Sequence, residues 1–253
     1  MRTLPDLSCL AQSTWHASVP TGTPVDGVEA TTDRAFVYVV ADMRDDEDPP
    51  GGKWLLLLRH KFPRGAFGVP GGLQDKDDKD QDHPDLSLVA TAKREFAEEV
   101  LGIEMPKNTT REQKAAVRDF VAMTDLDNLE ELRTIRDGAN QHAVAWYRMR
   151  VQRTSAFERL AAKWNLMFNP DARVDTKRVT FLSTEMHGYA WVSFDAVNEA
   201  TRNPVLDHWG NLQMRDADGH TLSVRDGVFG VYDSTSNRWT RHPQSFFDQL
   251  YAT

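Results

Sequence analysis

Cysteine and long apolar runs are nearly absent from this chain. Cys9 is the only cysteine among 253 residues, which excludes an internal disulfide framework and a cysteine-based zinc site. No stretch approaches the roughly 18 consecutive apolar residues of a membrane span. The first residues also lack the apolar segment of a secretory signal. We therefore expect a cytoplasmic protein without a membrane partner; a mitochondrial presequence, poor in arginine, is the alternative.

Positive charge is scarce as well. Lys and Arg number 30 against 38 Asp and Glu, which gives a formal net charge of −8. This composition does not supply the basic stripe that phosphate backbones require, so nucleic acid is not the expected partner, although a local basic patch could override the net charge. An acidic enzyme can still bind phosphorylated small molecules where metal ions invert the local charge.

The most informative segment is 94–99, Arg-Glu-Phe-Ala-Glu-Glu, which follows the Pro-Gly-Gly sequence at 70–72. In a helix, Glu95, Glu98 and Glu99 project from one face. Three like charges on neighbouring turns lower helix stability unless cations neutralise them. Carboxylate oxygens suit Mg²⁺ or Mn²⁺, which often lie between protein acids and substrate phosphates. The residues therefore predict metal-dependent phosphate chemistry.

This arrangement resembles the Nudix box, the loop–helix motif of hydrolases that cleave nucleoside diphosphates linked to another group. Gly72 would open the box, and the helix matches in type and spacing at Arg94, Glu95, Phe96, Glu98 and Glu99. The stretches 67–72 and 90–101 are most similar to the ADP-ribose pyrophosphatase branch of the family.

The chain departs from the box pattern in three places. The segment between Gly72 and Arg94 is longer than the pattern, and an acidic, polar insert at 73–85 accounts for the surplus. Leu86 occupies the position of the first box glutamate, for which Asp85 or Asp82 could substitute. The closing glycine of the box comes one position late.

The resemblance implies roles for five residues. Glu95, Glu98 and Glu99 would be metal ligands together with the backbone carbonyl of Gly71, and Glu98 and Glu99 would be catalytic. Arg94 is expected on a different side of the helix, as a structural clamp on a loop carboxylate.

A general base is less clearly marked. Glu185 is the first candidate because it precedes a predicted loop-to-strand element; a plain surface acid is the alternative interpretation. Glu130 and Glu131 are rivals, and Asp125 and Asp127 belong to the same group of candidates.

Three basic residues, Arg59, Lys61 and Arg64, precede the glycine turn and could bind a substrate phosphate; a solvated strand edge is the alternative. Some aromatic side chains could stack on a base, although most are expected in the core: Phe62, Phe67, Trp146 and Tyr147. The histidines show no paired metal spacing and are interpreted as ordinary: His60, His83, His142 and His187.

Apolar periodicity predicts an α+β fold, and the resemblance implies a Nudix-type α/β/α sandwich with a mixed sheet. Strands are predicted at 35–41, 53–60, 67–69, 115–124, 142–151 and 188–194, and helices at 86–101, 154–168 and 195–201. Asp85 is expected to cap the first helix, and 125–140 is expected to form turns. We divide the chain into an irregular arm (1–30), the hydrolase domain (31–202) and a C-terminal extension rich in β-hairpins (203–253).

The leading functional prediction is Mg²⁺- or Mn²⁺-dependent hydrolysis of a small nucleotide, ADP-ribose, to AMP and ribose 5-phosphate. Alternatives within the enzyme class are hydrolysis of dinucleoside polyphosphates, NADH or the mRNA cap. An alternative of another class is a catalytically silent nucleotide-binding or RNA-complex subunit. The C-terminal extension could serve as a lid, an extra sheet or the surface of a homodimer.

Overall fold

The computed structural model describes residues 33–44, 52–60, 65–74, 87–102, 129–136, 143–168, 186–233, 235–236 and 238–252. The strands are β1 (Arg34–Met43), β2 (Trp54–His60), β3 (Phe67–Gly68), β4 (Gly71–Leu73), β5 (Glu130–Arg136), β6 (Ala143–Arg153), β7 (Met186–Ser193), β8 (Leu212–Arg215), β9 (Thr221–Val224), β10 (Gly230–Asp233) and β11 (Arg238–Arg241). The helices are α1 (Leu88–Leu101), α2 (Thr154–Phe168), α3 (Phe194–Arg202) and α4 (Gln244–Leu250). None of these helices combines the length and the apolarity needed to cross a membrane.

A mixed sheet forms the centre of the fold. Its main path runs β5-β6-β1-β2-β3-β9-β8, with β4 paired to β1 and β7 paired to β2. Strands β1 and β6 are parallel, whereas β1–β2, β2–β7 and β5–β6 are antiparallel. Strands β10 and β11 form a separate two-stranded sheet. This topology confirms the predicted α+β fold with a mixed sheet.

Both faces of the sheet are covered, which explains why β1 and β2 are apolar at nearly every position. On the first face, alternate β1 residues such as Val37 and Val39 pack with Phe96 of α1 and Phe157 of α2. On the second face, the intervening β1 residues, Phe36 and Tyr38 among them, pack with α3 and α4. The helices therefore lie on both sides of the sheet.

The C-terminal region covers most of the second face. Its hairpin β8–β9 contributes Met214 and Val224, and α4 contributes Phe246 and Phe247, to one hydrophobic cluster with β1. Residues on both sides of position 202 thus share a core. The two hairpins agree with the prediction, whereas α4 was not predicted from the sequence.

The structure corrects two local expectations. Helix α1 begins at Leu88, and Ser87 caps it by accepting a hydrogen bond from the Ala90 amide at 3.2 Å, so the prediction of an Asp85 cap is wrong. The expected turn region contains strand β5, because pairing with β6 and burial of Leu132 outweigh its local polarity. Outside the described residues lie the predicted arm at 1–30, the predicted strand at 115–124 and most of the insert.

Candidate active site

Helix α1 and the short strand β4 bring the box residues together. Strand β4 pairs with β1, with Gly71 opposite Phe36. The Gly71 amide donates a hydrogen bond to the Glu99 carboxylate at 2.9 Å. The Glu95 carboxylate lies against Gly72, since a Cβ atom at Gly72 would be 2.6 Å from Glu95 Oε1. Two of the three glutamates therefore contact the glycine turn directly.

Arg94 ties the helix to the same turn. Its guanidinium donates to the Leu73 carbonyl at 2.7 Å and to Glu98 at 2.9 Å, and it lies 2.9 Å from Glu95. Among the described residues, the loop partner of the predicted clamp is the Leu73 backbone carbonyl; a loop carboxylate, the predicted partner, stays a prediction because positions 75–86 lie outside the described residues. Arg94 also shares a face with Glu95 and Glu98, so its predicted separation from them is wrong.

The three glutamates surround the turn without converging on one point. Among the described residues, the acidic and histidine side chains with ligand atoms within 4.8 Å of one another are Asp216, Asp218 and His220, on the exposed β8–β9 turn. The ligand oxygens of Glu95, Glu98 and Glu99 do not all lie within that distance of one another; the Gly71 amide donates to Glu99, and Arg94 pairs with Glu95 and Glu98. Glu98 is the most accessible, with 30% of its side chain exposed.

The donor set nevertheless fits a divalent cation. Three carboxylates lie on two helical turns beside the glycine turn, and Arg94 pairs with two of them, Glu95 and Glu98. Hard oxygen donors of this kind suit Mg²⁺ or Mn²⁺. A bound cation would offset the remaining negative charge of Glu95, Glu98 and Glu99.

His60 is a site residue that the sequence did not reveal. Its Nδ1 lies 3.6 Å from Glu99 Oε1, and the side chain is buried. Burial and the nearby Arg225 lower the pKa of His60 to about 3, so the ring is neutral at pH 7. Its Nε2 has no hydrogen-bond partner among the described residues and lies close to Gly68. The contact depends on the β2–β3 pairing and therefore has no local sequence signal.

A recess opens beside Gly71 on the second face of the sheet. It is small, with a cavity volume of about 20 Å³ accessible to water, and is lined by Phe36, Gly68, Val69, Gly71, Trp146, Arg225, Asp226, Gly227 and Val228. Phe36 and Trp146 are stacked rings with centroids 6.4 Å apart. The C-terminal region thus supplies one wall of a recess that adjoins the glutamates.

That wall, residues 225–228, is fixed to the rest of the protein. Tyr38 donates its hydroxyl hydrogen to the Val228 carbonyl at 2.5 Å. Burial lowers the pKa of His242 to about 4, so its ring is neutral; its Nε2 lies 3.1 Å from the Gly227 carbonyl. These contacts make the wall a preorganised surface.

The structure describes only some of the remaining predicted site residues. Arg59 is exposed, with its guanidinium beside Gly65. Glu130 pairs with Arg148, and Glu131 accepts a hydrogen bond from Thr134 at 2.6 Å, both on the edge strand β5. Outside the described residues are Lys61, Phe62, Arg64, His83, Asp125, Asp127, His142 and Glu185. Trp146 lines the recess, whereas Tyr147 is buried against the first face.

Comparison with known proteins gives similarity only at the level of structure. No protein-family model matches the sequence, and no curated protein matches it. A MutT/nudix family protein from Enterococcus faecalis aligns over 76% of this chain and 51% of its own, with a TM-score of 0.36 and 12% identity. This chain therefore spans about half the length of that protein.

Two further solved structures are similar. The NUDIX domain of Shewanella oneidensis NrtR, complexed with ADP ribose, aligns over 52% of this chain and 67% of its own, with a TM-score of 0.27 and 18% identity. A C. elegans Ap4A hydrolase aligns over 63% and 78%, with a TM-score of 0.29 and 18% identity. Because these sequence identities and TM-scores are low, a functional proposal for this protein has to rest on the geometry of the site.

Two glycine substitutions should have different effects. Gly71 has a φ of +149°, and a Cβ there would collide with the Ala35 carbonyl oxygen. Gly71→Ala should therefore cost roughly 2–4 kcal/mol of folding free energy. Gly72→Ala should cost less than about 1 kcal/mol, because the flexible Glu95 side chain can move, but should weaken activation by Mg²⁺. Urea denaturation and Mg²⁺ titration of activity would measure the two effects; equal destabilisation by both would contradict this assignment.

The ionisation of Asp226 should lower the free energy of unfolding as pH rises. Burial raises its pKa from 3.8 to about 7, against hydrogen bonds from the Tyr232 and Gly227 amides that lower it. Between pH 4 and 7 the folded state retains a proton that the unfolded state has lost, so stability decreases over that window. His60 and His242 have the opposite dependence, because their pKa values are lowered.

His60 and His242 affect the unfolding free energies of wild type and Asp226→Asn equally. Their contributions to the pH dependence therefore cancel in the difference between the two proteins. The stability of the variant relative to wild type should rise by an amount on the order of 3 kcal/mol from pH 4 to pH 7, as urea denaturation at each pH would show. Asn keeps an acceptor for the Tyr232 amide. A difference that does not change with pH would contradict the raised pKa.

Proposed function

We propose that this protein is a Nudix pyrophosphohydrolase that uses Mg²⁺ or Mn²⁺ to hydrolyse the diphosphate bond of a nucleoside diphosphate derivative. One observation carries the proposal: Glu95 and Glu99 contact a glycine turn, and Arg94 ties their helix to that turn while it pairs with Glu98. An acidic cluster held against backbone, beside an open recess, has the chemistry of a site that binds cations together with phosphates.

The residues of the cluster have two kinds of role in this proposal. Glu95, Glu98 and Glu99 would hold a divalent cation, to which the resemblance adds the Gly71 carbonyl; when bound, the cation would neutralise phosphate charge and lower the pKa of a water molecule. Arg94 keeps the helix in register with the turn through the Leu73 carbonyl.

The proton acceptor for the attacking water is proposed to be Glu185, with Glu98 as the alternative because solvent reaches it most readily. Glu130 and Glu131 are less suitable, since Arg148 and Thr134 engage them on a strand that β6 separates from β1.

ADP-ribose is the proposed substrate, cleaved to AMP and ribose 5-phosphate. The similarity of segments 67–72 and 90–101 to the ADP-ribose pyrophosphatase branch supports this choice. The recess beside Gly71, lined by the Phe36 and Trp146 rings, adjoins the glutamates and marks the side of the turn on which we expect the substrate to bind.

A substrate panel tests the proposal. Purified protein would be incubated with ADP-ribose, NADH, diadenosine tetraphosphate or capped RNA, with Mg²⁺, with Mn²⁺ or with EDTA. Chromatography should show AMP and ribose 5-phosphate from ADP-ribose, in a metal-dependent reaction. Turnover of another member of the panel would keep the enzyme class and change the substrate. Nucleotide binding without any turnover would instead indicate a silent nucleotide-binding subunit.

A further inference from the structure

His60 is a buried polar residue at the end of β2, beside the glutamate site. Its amide donates to the Ala66 carbonyl at 3.1 Å, and it pairs with Met186 of β7, so contacts on both edges of β2 fix its backbone. Alternation along β2 directs its side chain to the same face as Leu56 and Leu58, which is the face that α1 covers. The ring therefore lies on the side of the sheet where the helix bears the glutamates.

The Glu99 carboxylate is contacted from two directions. The Gly71 amide donates to Oε2 at 2.9 Å, and His60 Nδ1 lies 3.6 Å from Oε1. An ionised carboxylate only accepts hydrogen bonds, so Nδ1 is assigned as the ring nitrogen that carries the hydrogen. The separation is longer than a hydrogen bond, but Glu99 is only 6% exposed, and low-dielectric surroundings strengthen the attraction between the N–H group and the carboxylate. His60 therefore favours one orientation of this carboxylate.

The other ring nitrogen of His60 lacks a comparable contact. With the hydrogen on Nδ1, Nε2 is an acceptor, and it has no hydrogen-bond partner among the described residues. A Cβ at Gly68 would be 3.1 Å from it, so the ring packs against the β3 backbone. A buried acceptor without a donor costs folding free energy. An apolar residue of similar size would not have this cost, which indicates that the histidine serves the site rather than the fold.

We propose that His60 is a positioning residue of the metal site: its Nδ1–H group and the Gly71 amide together orient the Glu99 carboxylate for the cation. This inference rests on the proposed function for the nature of the cation, Mg²⁺ or Mn²⁺. Groups that orient the ligands of a metal ion contribute about 10- to 100-fold to metal affinity. The proposal gives a role to a histidine that its sequence pattern left as ordinary.

Mn²⁺ binding tests this role without requiring turnover. Electron paramagnetic resonance measures free Mn²⁺, and hence Kd, in titrations of wild type, His60→Leu, His60→Asn and His60→Gln. His60→Leu removes the donor and should raise the Kd for Mn²⁺ by about 10- to 100-fold. Asn places its amide nitrogen where Nδ1 stands, so its Kd should stay within about fivefold of wild type. Gln places its amide near the position of Nε2 and should bind Mn²⁺ as weakly as Leu.

Urea denaturation separates positioning from a structural role. Because Leu has no unpartnered acceptor, the urea midpoint of His60→Leu should equal or exceed that of wild type; a marked fall would assign His60 to the fold instead.

Two control variants accompany these titrations. His187→Leu changes an exposed histidine on β7, and it should alter the Kd for Mn²⁺ by less than about twofold. Asp218→Asn changes the exposed β8–β9 turn, whose Asp216, Asp218 and His220 lie close together, and it should leave the Kd unchanged.

Three further results would overturn the proposal: unchanged Mn²⁺ affinity in His60→Leu, equal losses in His60→Leu and His60→Asn, or an equal loss in Asp218→Asn. If wild type binds Mn²⁺ and hydrolyses ADP-ribose while His60→Leu keeps its affinity, only this inference fails. If His60→Leu loses affinity, His60→Asn retains it and no substrate is hydrolysed, only the proposed function fails. If wild type does not bind Mn²⁺, both fail.

Discussion

Glu98→Gln should lower kcat for the hydrolysed substrate by about 10²- to 10⁴-fold, because it removes one charged ligand from the cation site. Gln has the same shape and keeps an oxygen that can accept the hydrogen bond from Arg94, so the helix should remain tied to the turn. Steady-state kinetics at several Mg²⁺ concentrations would measure the loss, and thermal denaturation would verify that the fold is intact.

Glu199→Gln provides the matched control for this substitution. Glu199 is an exposed glutamate on a helix surface, α3, and should tolerate the change with activity within about twofold of wild type and stability within about 0.5 kcal/mol. Activity of Glu98→Gln comparable to that of the control would remove Glu98 from the site and weaken the proposed metal chemistry.

Arg148→Met should destabilise the protein by about 2–4 kcal/mol, because several carbonyls lose a donor. The Arg148 guanidinium is buried and donates to the carbonyls of Gln249 at 2.6 Å, Leu250 at 3.3 Å and Ala252 at 2.8 Å, and it pairs with Glu130. The Gln249 and Leu250 carbonyls belong to the last turn of α4 and that of Ala252 follows it, so Arg148 lies where a cation also interacts favourably with the helix dipole. Urea denaturation would give the change in unfolding free energy.

Arg150→Met is the control on the same strand. Arg150 is partly exposed and pairs with Asp42 at 2.8 Å, so its loss should cost less than about 1 kcal/mol. Similar costs for the two substitutions would show that the buried contacts to the C-terminal carbonyls add nothing to stability.

Much of the fold could be predicted because some helices and strands have a local pattern of apolar residues that indicates them. Strand β1 is apolar at nearly every position and was placed correctly, as was the periodic helix α2. Strand β5 and helix α4 were not predicted, because their local residue patterns do not indicate a strand or a helix. Their pairing and packing with distant residues determine both elements. Helix α4 is held by burial of Phe246, Phe247 and Leu250 against a sheet formed far earlier in the chain.

The residues of the candidate site also fall into two groups, those that a local sequence pattern indicates and those that depend on distant contacts. The spacing of Glu95, Glu98 and Glu99 is local, and a helix alone places them on one face. The positions of His60 and Arg225 depend on pairing between distant strands, so no local pattern could indicate them. The contact between Arg94 and the Leu73 carbonyl also escaped prediction, because a backbone acceptor leaves no trace in residue type.

The ties between the two ends of the described chain have a consequence for folding kinetics. The Tyr38–Val228 hydrogen bond joins residues 190 positions apart, and Lys53 donates to the Tyr251 carbonyl across 198 positions. Contacts of such high order close large loops and form slowly. The β1–β2 region can collapse early, whereas the recess also needs residues 225–228, so its wall should be among the last parts of the protein to form.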